Sequence, residues 1–341
     1  MIGPSWTDPG AFPVAEGIHR IPLPLPMDGL RAVNVYAIEA ADGLTLIDGG
    51  WAIEVSRKQL EASLAMIGHQ VGDIRRFLVT HVHRDHYTQA VAIRREFGAH
   101  VSLGLGDKAT LDLMSDPSNA ADPTAVQLRR AGAPDLAGQW STEMRGDRSG
   151  RADFEMPDAW LSGDVTISVG ERTLDAVSTP GHTQGHYVFA DLSAGLLFAG
   201  DHVLPTITPS IGFEPAYAEQ PLGDFLASLA KVRAMPDLTL LPAHGAVTGS
   251  SHARVDQLVA HHDERLTLCL AAVEAGLDTA YTVAAELPWT RHRRALAGLD
   301  VFNASLATME TAAHLELLAA QQRVVRHEAE DRVRFTPVPV D

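Results

Sequence analysis

Cysteine is almost missing: Cys269 is the only one among 341 residues, which excludes an intrachain disulfide and any thiolate metal cluster. Long apolar runs are missing too, and none approaches the roughly 20 residues that a membrane-spanning helix requires. The first twenty residues, interrupted by Pro4, Pro9 and Pro13, lack the basic and apolar regions of a signal peptide. The cytoplasm is therefore the expected compartment, and no membrane partner is expected. Positive charge is scarce, with 27 Lys and Arg against 43 Asp and Glu and a net charge of -16. Nonspecific nucleic-acid binding draws on Lys and Arg releasing counterions, so no nucleic-acid partner is expected. No low-complexity tract signals disorder, and 341 residues leave room for one large α/β domain plus a smaller appendage.

What is present begins with alternating stretches. His19-Arg-Ile-Pro-Leu, Asn34-Val-Tyr-Ala-Ile-Glu and Leu44-Thr-Leu-Ile-Asp48 read as an antiparallel meander closed by Gly49-Gly50. Helical spacing follows from about Ile53 to Met66, then a buried strand, Ile74 to Thr80, and a helix from Gln89 to Phe97. Residues 107–160 loosen into an insertion longer than a normal connection, which fits a surface elaboration and a lid equally well. Strands resume at Val165, Leu174, His186 and Leu196. After Val247 the chain turns Ala- and Leu-rich over His252 to Ala275 and Ala304 to Gln321, and it ends in an alternating hairpin around a charged turn. The expected division is an N-terminal extension (1–16), a main domain (17–250) and a winged-helix-like domain (251–341).

The chemistry concentrates in Thr80-His81-Val-His83-Arg-Asp85-His86, directly after the buried strand. Alternate residues of an extended chain point the same way, so His81 and His83 can share one metal. If a helix then begins, Asp85 and His86 are redirected toward a second metal. Three further strand ends carry a potential ligand each: His182 in Thr179-Pro-Gly-His-Thr-Gln-Gly-His186, Asp201 after Phe198-Ala-Gly, and His244 after Leu241-Pro-Ala. His202 is read as a structural histidine rather than a ligand.

This set resembles the metallo-β-lactamase superfamily, whose pattern H-x-H-x-D-H, H, D, H it matches in order and type over roughly residues 17–250. The resemblance implies an αββα sandwich. It implies His81, His83 and His182 around a first metal, Asp85, His86 and His244 around a second, and Asp201 between them, with His186 beside the site without coordinating. Two Zn(2+) ions are the expected cofactor, with Fe or Mn accepting the same ligands. A hydroxide bridging the ions would attack an ester-type bond (thioester, lactone or ester) of a small-molecule substrate, with Asp85 as the catalytic carboxylate that orients it. The resemblance also takes in iron-dependent persulfide dioxygenases and RNA nucleases. Tyr87, at the mouth of the motif, and Phe213 and Tyr217, in the proline-stiffened segment after Asp201, are candidate substrate contacts. The helical tail resembles the winged helix of β-lactamase-like proteins, its acidic balance favours a packing role over DNA binding, and a homodimer is compatible with it.

Overall fold

Alternating apolar residues near the N-terminus pair into strands, and the computed structural model describes their continuation through all residues except 1–4, 27–28, 116–121, 144–152, 291, 330 and 340–341. Strands β1 (Phe12–Ala15), β2 (Ile18–Pro24), β3 (Ala32–Ala40) and β4 (Gly43–Ile47) form the antiparallel part of the first sheet. Strands β5 (Ile74–Leu78), β6 (His100–Gly104) and β7 (Ala159–Leu161) extend it in parallel, in simple sequential order. Between them run α1 (Glu54–Met66) and α2 (Arg84–Phe97). The latter starts at Arg84 rather than at the expected Gln89, and Gly98 ends it at φ 77°, where a side chain would be strained.

A second sheet has the order β12-β11-β10-β9-β8, comprising β8 (Val165–Val169), β9 (Arg172–Ser178), β10 (Tyr187–Asp191), β11 (Leu196–Gly200) and β12 (Thr239–Pro242). Only its β11–β12 pairing is parallel. One apolar layer joins the two sheets: Ile18, Ile38 and Leu78 of the first meet Leu174, Phe189 and Phe198 of the second, with Tyr36 edge-on to Phe198 at 5.3 Å. The other face of the first sheet is covered by Leu60 and Leu64 of α1 and by Tyr87, Ala90 and Val91 of α2. These are i, i+3, i+4 positions of an amphipathic helix. Helix α6 (Pro221–Ala234) is tied to the end of β9 by Ser228 Oγ donating to Pro180 O and Lys231 Nζ donating to Ser178 O.

The chain divides into two compact units, each assembled from three stretches. The first comprises Met1–Ser115, Gly150–Pro209 and Ser228–Val255, and it contains both large sheets. The second comprises Asp116–Ser149, Ser210–Ala227 and Asp256–Asp341. It holds α4 (Pro123–Arg130), α5 (Pro134–Glu143), α8 (Ala280–Glu286), α9 (Val301–Ala320) and the antiparallel hairpin β13 (Val324–Glu328) with β14 (Val333–Pro337). Helix α7 (Ser251–Glu274) has its greater part in the second unit.

These divisions differ from the boundaries expected from sequence. The sheet starts inside the stretch read as an N-terminal extension, because β1 pairs with β2 from Phe12; an irregular register at Pro13 to Ala15 hides its alternation. The insertion is not one body either: α3 (Lys108–Ser115) and the three-residue strand β7 belong to the first unit, and only its middle belongs to the second. Likewise residues 210–227, expected in the main domain, group with the second unit. Among the described residues no helix is long and apolar enough to cross a membrane.

Gly104, at the end of β6, shows how closely the first unit is packed beside its histidines. A Cβ there would lie 1.9 Å from the carbonyl oxygen of Gly185, a backbone atom that cannot swing aside. Gly104→Ala is therefore expected to destabilise the protein by on the order of 3 kcal/mol, the upper range for overpacking. A urea midpoint unchanged from that of the unmodified protein would show that the loop gives way.

Candidate metal centre

Five of the ligands expected from the sequence follow the end of a strand, and the other two open the helix after β5. β5 delivers His81 and His83, and His83 is the N-cap residue of α2, so the first helical turn carries Asp85 and His86. His182 follows β9, Asp201 follows β11 and His244 follows β12. All seven belong to the first unit, and the structure brings them into two groups. In one, His81, His83, His182 and Asp201 each bring a ligand atom within 4.8 Å of the others; in the other, Asp85, His86 and His244 do the same.

The first group is a convergence of imidazole nitrogens. His83 Nδ1 lies 2.9 Å from His81 Nε2 and 3.1 Å from His182 Nε2. His81 is oriented by a relay: its Nδ1 lies 3.0 Å from Thr80 Oγ1, which donates to the Asp48 carboxylate at 3.0 Å. The Thr80 oxygen thus accepts from Nδ1, and His81 Nε2 faces its neighbours as a lone pair. Burial and the adjacent imidazoles His86 and His83 hold His81 well below the ordinary histidine range, while burial and His182 bring His83 down to about 3. Both are therefore neutral, the form in which histidine ligates a metal.

The second group is held just as firmly from behind. His86 Nδ1 donates to Asp48 at 2.9 Å, and His244 Nδ1 donates to the carbonyl of Ala32 at 2.7 Å. The His244 loop is fixed to β3 by Asn34, whose amide donates to the carbonyls of Pro242 and Gly245, and by the Tyr36 hydroxyl on Pro242 O. With their Nδ1 atoms committed, His86 Nε2 and His244 Nε2 are buried without a hydrogen-bond partner, as is Asp201 Oδ1. Three orphaned polar atoms in one place are costly unless something absent from the polypeptide satisfies them.

The charge balance points the same way. Burial disfavours an imidazolium at His86, yet Asp48, Asp85 and Asp201 outweigh it and push the group up to about 10. His244 is raised for the same reason, with Asp201 and Asp85 overcoming burial. Burial would raise Asp85, but His86 and His244 hold it well below the usual carboxylate range. Left to itself this pocket demands positive charge, and the donor set of imidazole and carboxylate suits a divalent transition metal.

Asp201 faces both groups. Its Oδ2 lies 3.5 Å from His182 Nε2, while Oδ1 lies 3.3 Å from His244 Nε2 and 3.7 Å from His86 Nε2. His186 positions it: the ring donates from Nδ1 to Thr179 Oγ1 and accepts the Asp201 backbone N–H at Nε2. Gly200, at φ 51°, makes room for this, since a Cβ would come within 2.7 Å of His186 Nε2.

A family model described as the metallo-beta-lactamase superfamily matches residues 28–244, well over half of the chain and the whole span of these ligands. The chain belongs to the metallo-β-lactamase superfamily. This member of it is similar along 94% of its length to a probable metallo-hydrolase, YqjP, of Bacillus subtilis strain 168, at 22% identity and with 98% of that protein covered. Among solved structures it is similar to a metallo-beta-lactamase family protein of Thermus thermophilus, with a TM-score of 0.78 and 26% identity, covering 96% of this chain and 100% of the other. A beta-lactamase domain protein of Burkholderia ambifaria gives a TM-score of 0.77 and 27% identity, covering 96% and 93%. The superfamily member is a metallo-hydrolase with a His/Asp metal-binding cluster.

Of the expected substrate contacts, Tyr87 is corrected by the structure. It is wholly buried on the inner face of α2, packed in the apolar core, and its hydroxyl donates to the carbonyl of Glu155. Phe213 lies in the second unit, edge-on to Trp140 and Phe302 at 5.5 and 5.7 Å, and Tyr217 in the same unit is 56% exposed. His202 is fully buried and its ring stands 5.9 Å from that of His186.

Two carboxylates were missed in the sequence as site residues. Asp48, at the end of β4, holds Thr80 and His86, and it shares with Asp201 the signature of an apolar strand running into an acidic residue. Asp107 carries no such signal. It is fully buried, its Oδ2 accepts from Val82 N at 2.8 Å and its Oδ1 accepts from Gly185 N at 2.8 Å. It thus fastens the His81–His83 segment to the loop that bears His182. Burial pushes this carboxyl up to about 7, although Gly185, Thr183 and Val82 all donate to it. An amide offers one acceptor oxygen where two are used, so Asp107→Asn is expected to weaken metal binding by about 10- to 100-fold, the usual cost of an outer-shell change. Competition against a chromogenic chelator reads the affinity, and an unchanged value would make Asp107 dispensable.

Proposed function

We propose that the seven residues form a two-metal centre, with zinc as the metal, that hydrolyses an ester-type bond in a small molecule: a thioester first, then a lactone or simple ester. The single observation carrying this reading is Asp201, with one oxygen turned to each group of ligands. When bound, such a metal pair supplies Lewis acidity toward a carbonyl oxygen and makes water acidic enough to react near neutral pH. The chain's own residues do the rest. His81 and His83 are held neutral, and His86 and His244 are oriented by Asp48 and by the Ala32 carbonyl. Asp85 has the most exposed side chain of its group, at 15%. Its carboxylate is the group placed to orient a water molecule and to take its proton. No serine or cysteine nucleophile is required, and Cys269 is buried with its thiol pushed up to about 12 by burial.

The acidic composition supports a small molecule over RNA as substrate. The complete second group supports two metals over the single iron of a persulfide dioxygenase. The order of helices and then the β13–β14 hairpin supports a winged-helix-like reading of the C-terminal part, and the single cysteine supports a cytoplasmic location. Elemental analysis of protein purified without added metal, paired with a panel of thioesters, lactones and aryl esters, tests the proposal. Zinc that is lost in His83→Ala and His244→Ala, together with turnover, is the expected result. One iron per chain, no hydrolysis and oxygen uptake with a persulfide would replace it with the dioxygenase.

A further inference from the structure

The second unit contains a cluster of imidazoles and a carboxylate that the hydrolytic site does not use. Helix α7 carries His261 and His262, and α9 carries Glu310 and, one turn on, His314. Residues i and i+4 share a helix face, so Glu310 and His314 stand on one side of α9. His261, His262 and Glu310 each bring a potential ligand atom within 4.8 Å of the others.

Hydrogen bonding fixes how His262 is presented. His314 Nδ1 lies 2.7 Å from the carbonyl oxygen of Glu310, which only accepts, so His314 carries its proton on Nδ1 and has a lone pair at Nε2. That lone pair lies 3.1 Å from His262 Nδ1, so His262 donates from Nδ1 and its own Nε2 is a bare lone pair. His262 is completely buried, and Nε2 has no hydrogen-bond partner. The relay of a backbone carbonyl, His314 and His262 has the form by which outer residues orient a ligating histidine. Glu310 and His261 are only half-buried, which leaves a path by which an ion can enter.

We propose that His261, His262 through Nε2, and Glu310 bind a divalent transition metal of zinc type, with His314 as the positioning residue, cross-linking α7 to α9. Two imidazoles and a carboxylate are a common zinc donor set, and a water completes four-coordination. Burial lifts the Glu310 carboxyl above its usual range, with the nearby Arg265 opposing. Arg265 is itself engaged, its guanidinium over the Trp289 ring at 4.1 Å and donating to the Pro288 carbonyl. A cation at the cluster satisfies the orphaned nitrogen and the half-buried carboxylate together, and by mass action it stabilises the folded chain.

The test uses the full chain with His83, His86 and Asp201 replaced by Ala, so that each group of the hydrolytic centre keeps only two ligands. Titrated with Co(2+), this variant is expected to take up one ion per chain with visible d–d absorption, and Zn(2+) is expected to raise its melting temperature. Adding Glu310→Gln, which keeps the shape of the side chain, or His261→Ala is expected to abolish both responses. Uptake that survives these replacements, or no uptake by a triple variant whose circular dichroism is native, overturns the site. Should the triple variant not fold, Glu310→Gln alone in the otherwise unmodified chain is expected to lower total bound Zn(2+) by one per chain. An unchanged total there overturns it equally.

Discussion

Asp201→Ala is expected to lower kcat/KM by on the order of 10³-fold or more and to reduce the metal bound at both ligand groups. Among the described residues, no other side chain in the centre turns separate oxygens to separate groups: Oδ2 is 3.5 Å from His182 Nε2, and Oδ1 is 3.3 Å from His244 Nε2. Truncation removes the carboxylate that faces both groups and leaves His86 and His244 with Asp85 as the one remaining carboxylate at their Nε2 atoms. His83→Ala, by contrast, is expected to deplete the first group and leave Asp85, His86 and His244 in place. Elemental analysis and kinetics on the same preparations separate the two patterns. An Asp201→Ala protein with full metal content and full rate would show that the carboxylate is not shared.

Asp48→Ala is expected to be the most damaging change outside the ligands themselves. Asp48 is 2% exposed and accepts from the Thr80 backbone, the Thr80 hydroxyl and His86 Nδ1. Breaking one side of such a buried charged arrangement costs about 3–5 kcal/mol. Its φ of 61° adds a backbone cost, since a residue with a plain Cβ pays about 1–2 kcal/mol in the left-handed region. Asn tolerates that region better. Asp48→Asn is therefore expected to recover part of the stability while still losing the charge that orients His86. Its metal affinity is expected to fall about 10- to 100-fold. Denaturant unfolding of the metal-free proteins reads the first effect and chelator competition the second. Equal stability for the Ala and Asn variants would discount the backbone contribution.

The candidate ligands were legible as a pattern because several follow apolar strands, and that pattern, repeated at His81, His182, Asp201 and His244, marks the rim of a sheet. Tyr87 misleads because adjacency to His86 in sequence does not carry its side chain to the site. One step along a helix rotates a side chain by about 100°, and Tyr87 falls in register with Ala90 and Val91 on the core face. Asp107 was invisible for another reason: its task is to accept from the backbones of Val82 and Gly185, and main-chain donors leave no trace in residue identity. The strand β7 was lost inside the loose segment because three residues, Ala159 to Leu161, are too few to show a period of two. His262 and His314 read as ordinary helical residues, since their meeting depends on how α7 and α9 pack.

The interleaving of the two compact units also sets an order of events on the ribosome. The stretch Asp116–Ser149 emerges early, yet most of its unit begins only at Asp256, roughly a hundred residues later. At about 5–20 residues per second of synthesis, α4 and α5 wait on the order of five to twenty seconds before the main part of their unit begins to emerge, with only Ser210–Ala227 arriving sooner. Throughout that interval their apolar faces, including Leu128, Leu136 and Trp140, are open to chaperones and to neighbouring nascent chains. The yield of native protein should therefore respond to translation speed downstream of Ser149.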